Sequence, residues 1–312
     1  MTAGELLQAV LAGLSVGAVY GLAGMGFSLV WALTRVIQFA HGDVIVGAVL
    51  LAVFAVVGTT PVAVPPGVAT SVLAVAATLA IGVGLSVGCY LVAVRPFIRG
   101  GGDSLGWVGA TATVGLLLRA SVALVLPAAA YAAPDVLHLD SLNDAKSLSL
   151  PGGGQLAIRV LPVLAIALAS ALVADRFLVR SRLGQAMRAV ADDADAAALC
   201  GISVERVVVL AFAAAGLLAA VAALLIAPAA PLTADSGALL GLAGASAAYV
   251  GRLRSPRAAV IGGLCIGVAQ QVVAVFPGLG ASWSELVPAA ALIVVLTWRP
   301  LGLIAPREAA AE

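Results

Sequence analysis

Residues 207–226 read VVVLAFAAAGLLAAVAALLI, and this stretch decides the fold class of the chain. It contains no charged residue. A helix needs about 20 apolar residues to cross the hydrocarbon core of a bilayer, and the stretch is long enough to do so. It therefore predicts a transmembrane helix.

The composition of the whole chain agrees with this prediction. Of 312 residues, 62% are hydrophobic and 10% are charged, and the mean hydropathy is +1.15. Soluble domains carry roughly 25% charged residues, so a soluble chain of this composition would lack the polar groups to cover its surface. The net charge of +1 argues against nucleic acid as a partner. The three cysteines form no CxxC pair of the kind that binds zinc, so we expect no metal site.

Charges, prolines and glycines divide the chain into nine apolar segments. They predict an all-α fold, a polytopic transmembrane helical bundle of about eight or nine spans, in a single domain that covers residues 1–312. The first segment is long enough to be tilted or broken at residues 21–26, and two others are short enough to be half-spans or re-entrant, 43–57 and 238–250. The nine segments are 6–33, 43–57, 71–94, 107–126, 160–178, 207–226, 238–250, 258–276 and 286–298.

Arginines are concentrated in every second connection between these segments. The connections without an arginine cluster hold only Lys146 and Arg159 as cations. The positive-inside rule places the arginine-rich connections in the cytoplasm, which puts the N-terminus outside and the C-terminus in the cytoplasm. No cationic residue precedes the first segment, so we expect a retained span rather than a cleaved signal peptide. The clusters are Arg35, Arg95 with Arg99, the arginines of 176–206, Arg252 to Arg257, and Arg299 with Arg307.

The longest arginine-rich connection, residues 180–206, has the composition of a short helix outside the membrane. Alanine is the strongest helix former, and residues 185–199 contain no glycine or proline. We expect an uninterrupted helix over 185–199 that ends at Gly201, with Ser203 capping the next helix. Two interpretations stay open. The segment is either a solvated connector or a rigid lever that docks onto a partner, because so short a helix is marginal alone in water.

The same connection resembles the Glu-Ala-Ala-x-x-x-Gly signature of ABC importer permeases. Here it reads Asp195-Ala196-Ala197, three further residues and Gly201. The wider pattern is similar to that of branched-chain amino-acid permeases of the LivH/LivM type, in which this segment is the coupling helix that engages the ATPase subunit. The resemblance therefore implies ATPase-coupling roles for Gly184, Arg188, Asp192, Asp195, Ala196, Ala197 and Gly201.

Two further motifs extend the resemblance towards both ends of the chain. Residues 38–43, QFAHGD, resemble the family's Asn-Phe-Ala-His-Gly-Glu/Asp motif, and residues 299–303, RPLGL, resemble its Arg-Pro-x-Gly-Leu ending. The resemblance implies a multi-pass permease subunit in a bacterial inner membrane. It would import branched-chain or other apolar amino acids, or urea or short amides as some relatives do.

The resemblance also implies partners. They are two ABC ATPase subunits, a second permease subunit, an extracytoplasmic substrate-binding protein and the surrounding membrane lipid, with no nucleic acid. ATP and Mg²⁺ would be used by the ATPase subunits, and this chain would bind no cofactor.

The chain departs from the family pattern at three places. Asp195 replaces a glutamate, and the usual Ile-x-Leu-Pro element downstream is missing. Residues 251–257, GRLRSPR, place Arg252, Arg254 and Arg257 where the family usually has glycines. Arginine adopts positive φ less readily than glycine, so the family's backbone at this turn, and any ATPase or lipid contact there, is not carried over.

Polar residues within or beside the spans are candidates for the substrate path or its gate. Arg119 lies near the middle of a predicted span, where insertion scales assign an arginine roughly 2.5–3.5 kcal/mol. It is either a pathway residue or a ligand for the substrate carboxylate, or else it snorkels or makes a helix-to-helix bond, in which case Arg119→Gln is tolerated. His41 and Asp43 either line a gate or bond backbone at a re-entrant turn. The candidates are Tyr20, Gln38, His41, Asp43, Thr113 and Arg119.

Glycines at small-residue spacing predict close contacts between helices in lipid. They form two sets, Gly82 with Gly84 and Gly88, and Gly237 with Gly241 and Gly244. The sequence GLAG occurs at both 21–24 and 241–244, which suggests an inverted repeat of the kind found in many transporters.

The residues also weigh against other classes of function. The sole lysine, Lys146, follows no glycine-rich loop, so the chain should not hydrolyse ATP by itself, and we assign no catalytic residue. An intramembrane hydrolase is suggested by the Gly-x-Ser-x-Gly patterns at Ser15 and Ser86, but that elbow needs a strand-to-helix turn and a base. A stand-alone secondary transporter usually carries intramembrane carboxylates for ion coupling, whereas the acids here map to loops or span ends.

Overall fold

The computed structural model describes residues 3–58, 67–100, 106–126, 131, 133–139, 148–149, 155–229, 231–253, 256–278 and 280–298. Lys146, Arg254 and the motif at 299–303 lie outside these ranges. The helices are α1 (Ala3–Thr34), α2 (His41–Val57), α3 (Val68–Cys89) continued by a π-helical turn (Tyr90–Val94), α4 (Arg95–Gly100), α5 (Gly106–Val125), α6 (Val160–Arg180), α7 (Arg182–Asp192), α8 (Ala194–Leu199), α9 (Val204–Ile226), α10 (Ser236–Val250), α11 (Pro256–Val275), α12 (Gly280–Ser284) and α13 (Val287–Trp298).

The fold is the predicted polytopic helical bundle. Within the described residues, six helices are long and apolar enough to cross a membrane, and three shorter apolar helices accompany them, His41–Val57, Ser236–Val250 and Ser282–Trp298. Each of the nine predicted segments coincides with one of these nine helices. The only strands in the described part of the chain are β1 (Leu148–Ser149) and β2 (Gln155–Leu156), which pair antiparallel.

The centre of the bundle is formed by α1 and α9. The stretch that decided the fold class lies in α9, and its small side chains Ala211, Ala215 and Ala219 are fully buried. By contrast, α5 and α6 leave most of their surface outside the bundle. Because the outer residues of these helices are apolar, that surface suits contact with lipid or with another membrane subunit.

Helix α1 runs unbroken through residues 21–26, so the alternative that this segment is broken is wrong. The reason is that its glycines serve close packing instead of a kink. A methyl group added to Gly17 would lie 2.6 Å from the carbonyl oxygen of Gly263 in α11, and one added to Gly13 would lie 2.6 Å from the Cα of Val268. The backbones of α1 and α11 therefore touch along a line of glycines, as small-residue motifs permit in membranes.

The predicted glycine contacts are confirmed in part. Gly82 packs against Gly216 of α9, Gly237 and Gly241 pack against the start of α2, and Gly244 packs against Ala23 of α1. The remaining two glycines, Gly84 and Gly88, meet no described atom within 4 Å of an added methyl group. The two GLAG segments are neighbours in space, since Gly24 contacts Gly244, but an inverted repeat stays a prediction.

Two short helices, α2 and α10, begin inside the bundle. The ring of His41, the first residue of α2, lies beside Gly26 and is stacked edge-on against Phe27, with ring centroids 4.6 Å apart. Gly26 lies two turns, about 12 Å, before the end of α1. Both helices are short, as expected, with 17 residues in α2 and 15 in α10. That they are half-spans or re-entrant pieces stays a prediction.

Candidate functional site

The connection between α6 and α9 forms two short helices and not one. The expectation of an uninterrupted helix over 185–199 is wrong, because α7 ends at Asp192 and α8 begins at Ala194. Asp193 between them has extended backbone, and its carboxylate accepts hydrogen bonds from the N–H groups of Asp195 and Ala196, each at 3.0 Å. Aspartate side chains cap helix N-termini in this way and compete with continuous helix.

The end of α8 is confirmed at Gly201. This glycine has φ +82°, the left-handed conformation that glycine adopts without steric cost. Its N–H donates to Ala198 O at 2.9 Å, and the N–H of Ile202 donates to Ala197 O at 3.0 Å, which together form a Schellman motif. Ser203 occupies the N-cap position of α9 as expected, but its side chain makes no capping hydrogen bond.

Two residues of the coupling motif hold α7 against the end of α6. The guanidinium of Arg188 donates to the carbonyl oxygens of Leu178 at 2.7 Å and Val179 at 3.0 Å. A cation at a helix C-terminus satisfies unpaired carbonyls and complements the helix dipole. Gly184 is buried, and a methyl group on it would overlap the backbone of Leu178. These two residues therefore fix the geometry of the connection.

The remaining coupling residues divide between a buried and an exposed side. Ala197 is buried with Met187 and Val190 in a cluster that packs on α1 and α9. Asp192, Asp195 and Ala196 are exposed. Sequence reasoning missed Leu199, whose side chain at the end of α8 is 91% exposed. We name the exposed set the coupling surface; it consists of Asp192, Asp195, Ala196, Leu199 and Cys200.

A second cluster joins three charged residues from three different parts of the chain. Arg119 of α5 donates to Asp43 Oδ1 from Nε at 3.4 Å and from Nη2 at 3.2 Å. Its Nη1 lies 3.4 Å from Oδ1 of Asp235. The structure therefore shows that Arg119 bonds a carboxylate of another helix, and it adds Asp235, which the sequence places in a connection. A role of Arg119 in the substrate path stays a prediction. We call these three residues the charge cluster.

The charge cluster lies where the N-termini of α2 and α10 meet. Asp43 is in the first turn of α2, and Asp235 is the N-cap residue of α10. Both carboxylates thus lie at the positive ends of helix dipoles, where negative charge is stabilised. A methyl group on Gly237 would lie 2.6 Å from Asp43 Oδ1. Glycine at this position therefore lets the two helix ends approach closely enough for one arginine to bond both.

Two other residues of the motif at 38–43 are polar and buried, and both lie close to Asp43 in the sequence. Gln38 and His41 have less than 2% of their surface exposed. Their side chains make no hydrogen bond of ordinary geometry to the described residues. Polar groups at membrane depth usually face the interior of the bundle and mark functional positions, which keeps both residues as path or gate candidates.

The last two path candidates do not join these groups. The Thr113 hydroxyl donates to Gly109 O of its own helix at 2.8 Å and lies on the outer surface of α5. Tyr20 is buried in a separate cluster with Ala243 and Ala247. Nothing in their surroundings distinguishes a path residue from ordinary packing.

The hydrolase pattern lacks the geometry that its chemistry needs. Ser15 lies within α1 and Ser86 within α3, so neither is on a strand-to-helix elbow. The Ser86 hydroxyl donates to Phe212 O at 2.7 Å and serves helix packing. No group of three or more metal-ligating side chains occurs in the part of the chain that the structure describes.

The arginine-rich turn after α10 adopts the conformation that its sequence disfavours. Arg252 has φ +66° and Leu253 has φ +53°. The N–H of Arg252 donates to Tyr249 O at 2.9 Å, and that of Leu253 donates to Ala248 O at 2.8 Å. Arg252 therefore takes the position in a Schellman motif that is usually glycine. The buried side chain of Leu253 packs with Phe27 and Ala248 and holds the turn in place.

Comparisons with known proteins identify the family of the chain. The family model described as "Branched-chain amino acid transport system / permease component" matches residues 9–296. The permease protein BraD of a high-affinity branched-chain amino acid transport system of Pseudomonas aeruginosa is 29% identical over 304 residues, which cover 97% of this chain and 96% of BraD. The corresponding permease protein LivH of Salmonella typhimurium is 28% identical over 314 residues, covering 97% of this chain and 96% of LivH.

A solved structure is also similar. It is PsaBC from Streptococcus pneumoniae in complex with Fab, with a TM-score of 0.48, 15% sequence identity and coverage of 94% of this chain and 91% of that one. The family model spans nearly the whole bundle, including the coupling surface and the charge cluster. The chain is thus a multi-pass inner-membrane protein that belongs to the family of branched-chain amino acid transport system permease components.

Proposed function

We propose that this chain is the permease subunit of an ABC importer for branched-chain or other apolar amino acids. The observation that carries the proposal is the family match over residues 9–296, and the curated relatives transport branched-chain amino acids. The chain lacks a phosphate-binding loop in its sequence. The energy for transport therefore comes from two partner ATPase subunits, which use ATP and Mg²⁺, while this chain binds no cofactor.

The coupling surface is the contact for an ATPase subunit. Its position is fixed from two sides, since Arg188 bonds the end of α6 and Ala197 is buried against the core of the bundle. A rigid connection transmits a displacement, whereas a loose one absorbs it. Leu199 supplies an apolar side chain that a cleft on the ATPase can bury, and Asp192 and Asp195 supply negative charge around it. We therefore expect an apolar cleft with a basic rim on the ATPase subunit.

The charge cluster identifies the side of the bundle that does not face lipid. The side chain of Asp235 is 82% exposed and that of Arg119 is 28% exposed. A charged side chain in contact with hydrocarbon is costly, and such residues face water or protein. The surface of α5 and α10 around Arg119 thus faces the second permease subunit or the substrate path between the two subunits. An extracytoplasmic binding protein would deliver substrate to that path.

We infer the orientation of the chain from its arginine-rich end. Arg35 and Arg252 follow the ends of α1 and α10, and Arg188 lies within α7. The positive-inside rule assigns such an end to the cytoplasm. The N-terminus then lies outside and the C-terminus in the cytoplasm. Native Cys200 of the coupling surface offers a test, because Cys89 is buried and the other exposed cysteine can be removed as Cys265→Ser. In inverted vesicles that lack the ATPase subunits, which would otherwise cover Cys200, a membrane-impermeant maleimide should label this variant, and in intact cells it should leave the variant unlabelled.

Transport itself is tested in proteoliposomes that contain the permease subunits and the ATPase subunits, with the binding protein added outside. Labelled leucine should accumulate only when ATP is enclosed, and excess unlabelled isoleucine or valine should compete while urea should not. Accumulation without the ATPase subunits would contradict the proposal and favour a secondary transporter. Labelling of Cys200 in intact cells would reject the coupling role and the orientation together.

A further inference from the structure

A cavity of about 400 Å³ opens at the arginine-rich end of the bundle, between α10, α11 and α13. Its walls are apolar and include Ile261, Val294 and Val295. Its rim carries Arg252 and Trp298. Ile261 and Val294 also belong to the exposed apolar surface of α11 and α13, so the cavity continues into the outer surface of the bundle.

The charge on the rim is available to a ligand. Arg252 is exposed and forms no ion pair with any described residue. Arg257 nearby in sequence differs, since its guanidinium is bonded to Asp175 of α6. Left-handed backbone is unfavourable for a residue other than glycine. The chain therefore has an arginine at a strained backbone position. The turn that carries it is held by the next residue, Leu253, which is buried.

The chemistry of the cavity matches one class of molecule. An apolar channel suits an acyl chain, and a guanidinium without an ion pair among the described residues suits a phosphate group. Trp298 is 85% exposed at the end of its helix, and tryptophan favours the boundary between hydrocarbon and headgroups. A basic residue near the surface attracts an anionic lipid by about 1 kcal/mol, whereas it gains little from a zwitterionic one.

We propose that this cavity is a binding site for an anionic glycerophospholipid. The phosphate lies on Arg252, the headgroup lies beside Trp298, and one acyl chain follows the apolar wall formed by Ile261, Val294 and Val295. The site is separate from the coupling surface and from the charge cluster. Its assignment to the cytoplasmic leaflet rests on the orientation proposed above, whereas the lipid class does not.

The experiment uses Trp298 as a probe of its own site. The complete transporter is reconstituted in bilayers of phosphatidylcholine, in which a fixed fraction of the lipid is replaced by brominated phosphatidylglycerol or by brominated phosphatidylcholine. Bromine quenches tryptophan fluorescence on contact, and subtraction of the Trp298→Phe variant isolates the signal of this residue. We expect brominated phosphatidylglycerol to occupy the site about fivefold more readily than brominated phosphatidylcholine, the ratio that corresponds to about 1 kcal/mol.

Variants separate the charge from the fold. Arg252→Gly should abolish the preference for phosphatidylglycerol, and because glycine suits the left-handed turn, a loss of folding is not the cause. Arg252→Lys should keep most of the preference, and Arg180→Gln, an exposed arginine outside the cavity, should keep all of it. Equal quenching by both lipids in the unsubstituted protein would overturn the proposal, as would a preference that survives Arg252→Gly. Quenching by neither lipid would also overturn it, because protein would then cover the cavity.

Discussion

The sharpest prediction concerns Leu199 at the end of α8. Its side chain is 91% exposed, so truncation removes almost no contact within this chain. If an ATPase cleft buries it, the complex gains most of the value of burying a leucine, about 1.5–3 kcal/mol. Leu199→Ala keeps only the β-carbon of the side chain. We therefore expect the ATPase subunit to bind about 30-fold more weakly, which corresponds to about 2 kcal/mol.

The assay is a titration of fluorescently labelled ATPase subunit onto the purified membrane subunits in nanodiscs. Leu172→Ala is the matched control, because Leu172 is also an exposed leucine but lies within α6, away from the coupling surface. We expect the control to bind the ATPase subunit with unchanged affinity. Both variants should unfold at the temperature of the unsubstituted protein, because neither side chain is packed in the bundle.

Equal ATPase affinities for Leu199→Ala, Leu172→Ala and the unsubstituted protein would refute the reasoning. Such a result would mean that Leu199 stays in water in the assembled transporter. The coupling surface would then have to act through its acidic residues alone. The same conclusion would follow if the affinity that Leu199→Ala loses were regained at high salt. A buried leucine contributes to binding independently of ionic strength.

Three further predictions concern packing and backbone. Asp43→Asn should lower the free energy of unfolding by about 3 kcal/mol, because it leaves Arg119 bonded only to an exposed carboxylate. The double variant with Arg119→Gln should lose less than the sum of the two single losses. Chemical denaturation in detergent measures these free energies, and additive losses would contradict a direct pair. Gly17→Val should lower the thermal midpoint sharply, whereas Gly84→Val should not, since only the first meets backbone atoms; similar midpoints would contradict the glycine contact with α11. Gly201→Ala should lower the free energy of unfolding by about 1–2 kcal/mol, because alanine is strained in left-handed backbone. It should also reduce ATP-driven uptake without reducing membrane insertion. Unchanged uptake would argue against a coupling role for this turn.

The Asp43 prediction revises what the sequence suggested for Arg119. A helix-to-helix bond alone made Arg119→Gln seem harmless. In the structure, the side chain of Asp43 is only 8% exposed, so removal of the arginine leaves a nearly buried carboxylate without its cation. The substitution is therefore expected to weaken folding, and the double variant shows how much of that loss belongs to the pair.

Local features of the chain were predictable because each depends on residues close in sequence. Apolar segments of sufficient length become helices in a membrane whatever they pack against, and all nine appear. Gly201 ends α8 because only a left-handed residue completes the hydrogen bonds of that helix end. The break at Asp193 was also readable in principle, because an aspartate that precedes two free backbone N–H groups can cap a new helix. Helix propensity alone does not predict it, because the alanines on both sides of Asp193 favour a continuous helix.

The order of residues is enough to predict a membrane-embedded bundle, an arginine-rich end and a helical connection that leaves the bundle. The three-dimensional arrangement was needed to find that Arg119 bonds Asp43 and Asp235. It was also needed to find that glycines of α1 face glycines of α11 and that Leu199 is exposed while Ala197 is buried. The physical reason is the range of the interactions. Hydrophobic length and helix capping act over a few residues, whereas an ion pair or a backbone contact between helices exists only once distant segments are placed side by side.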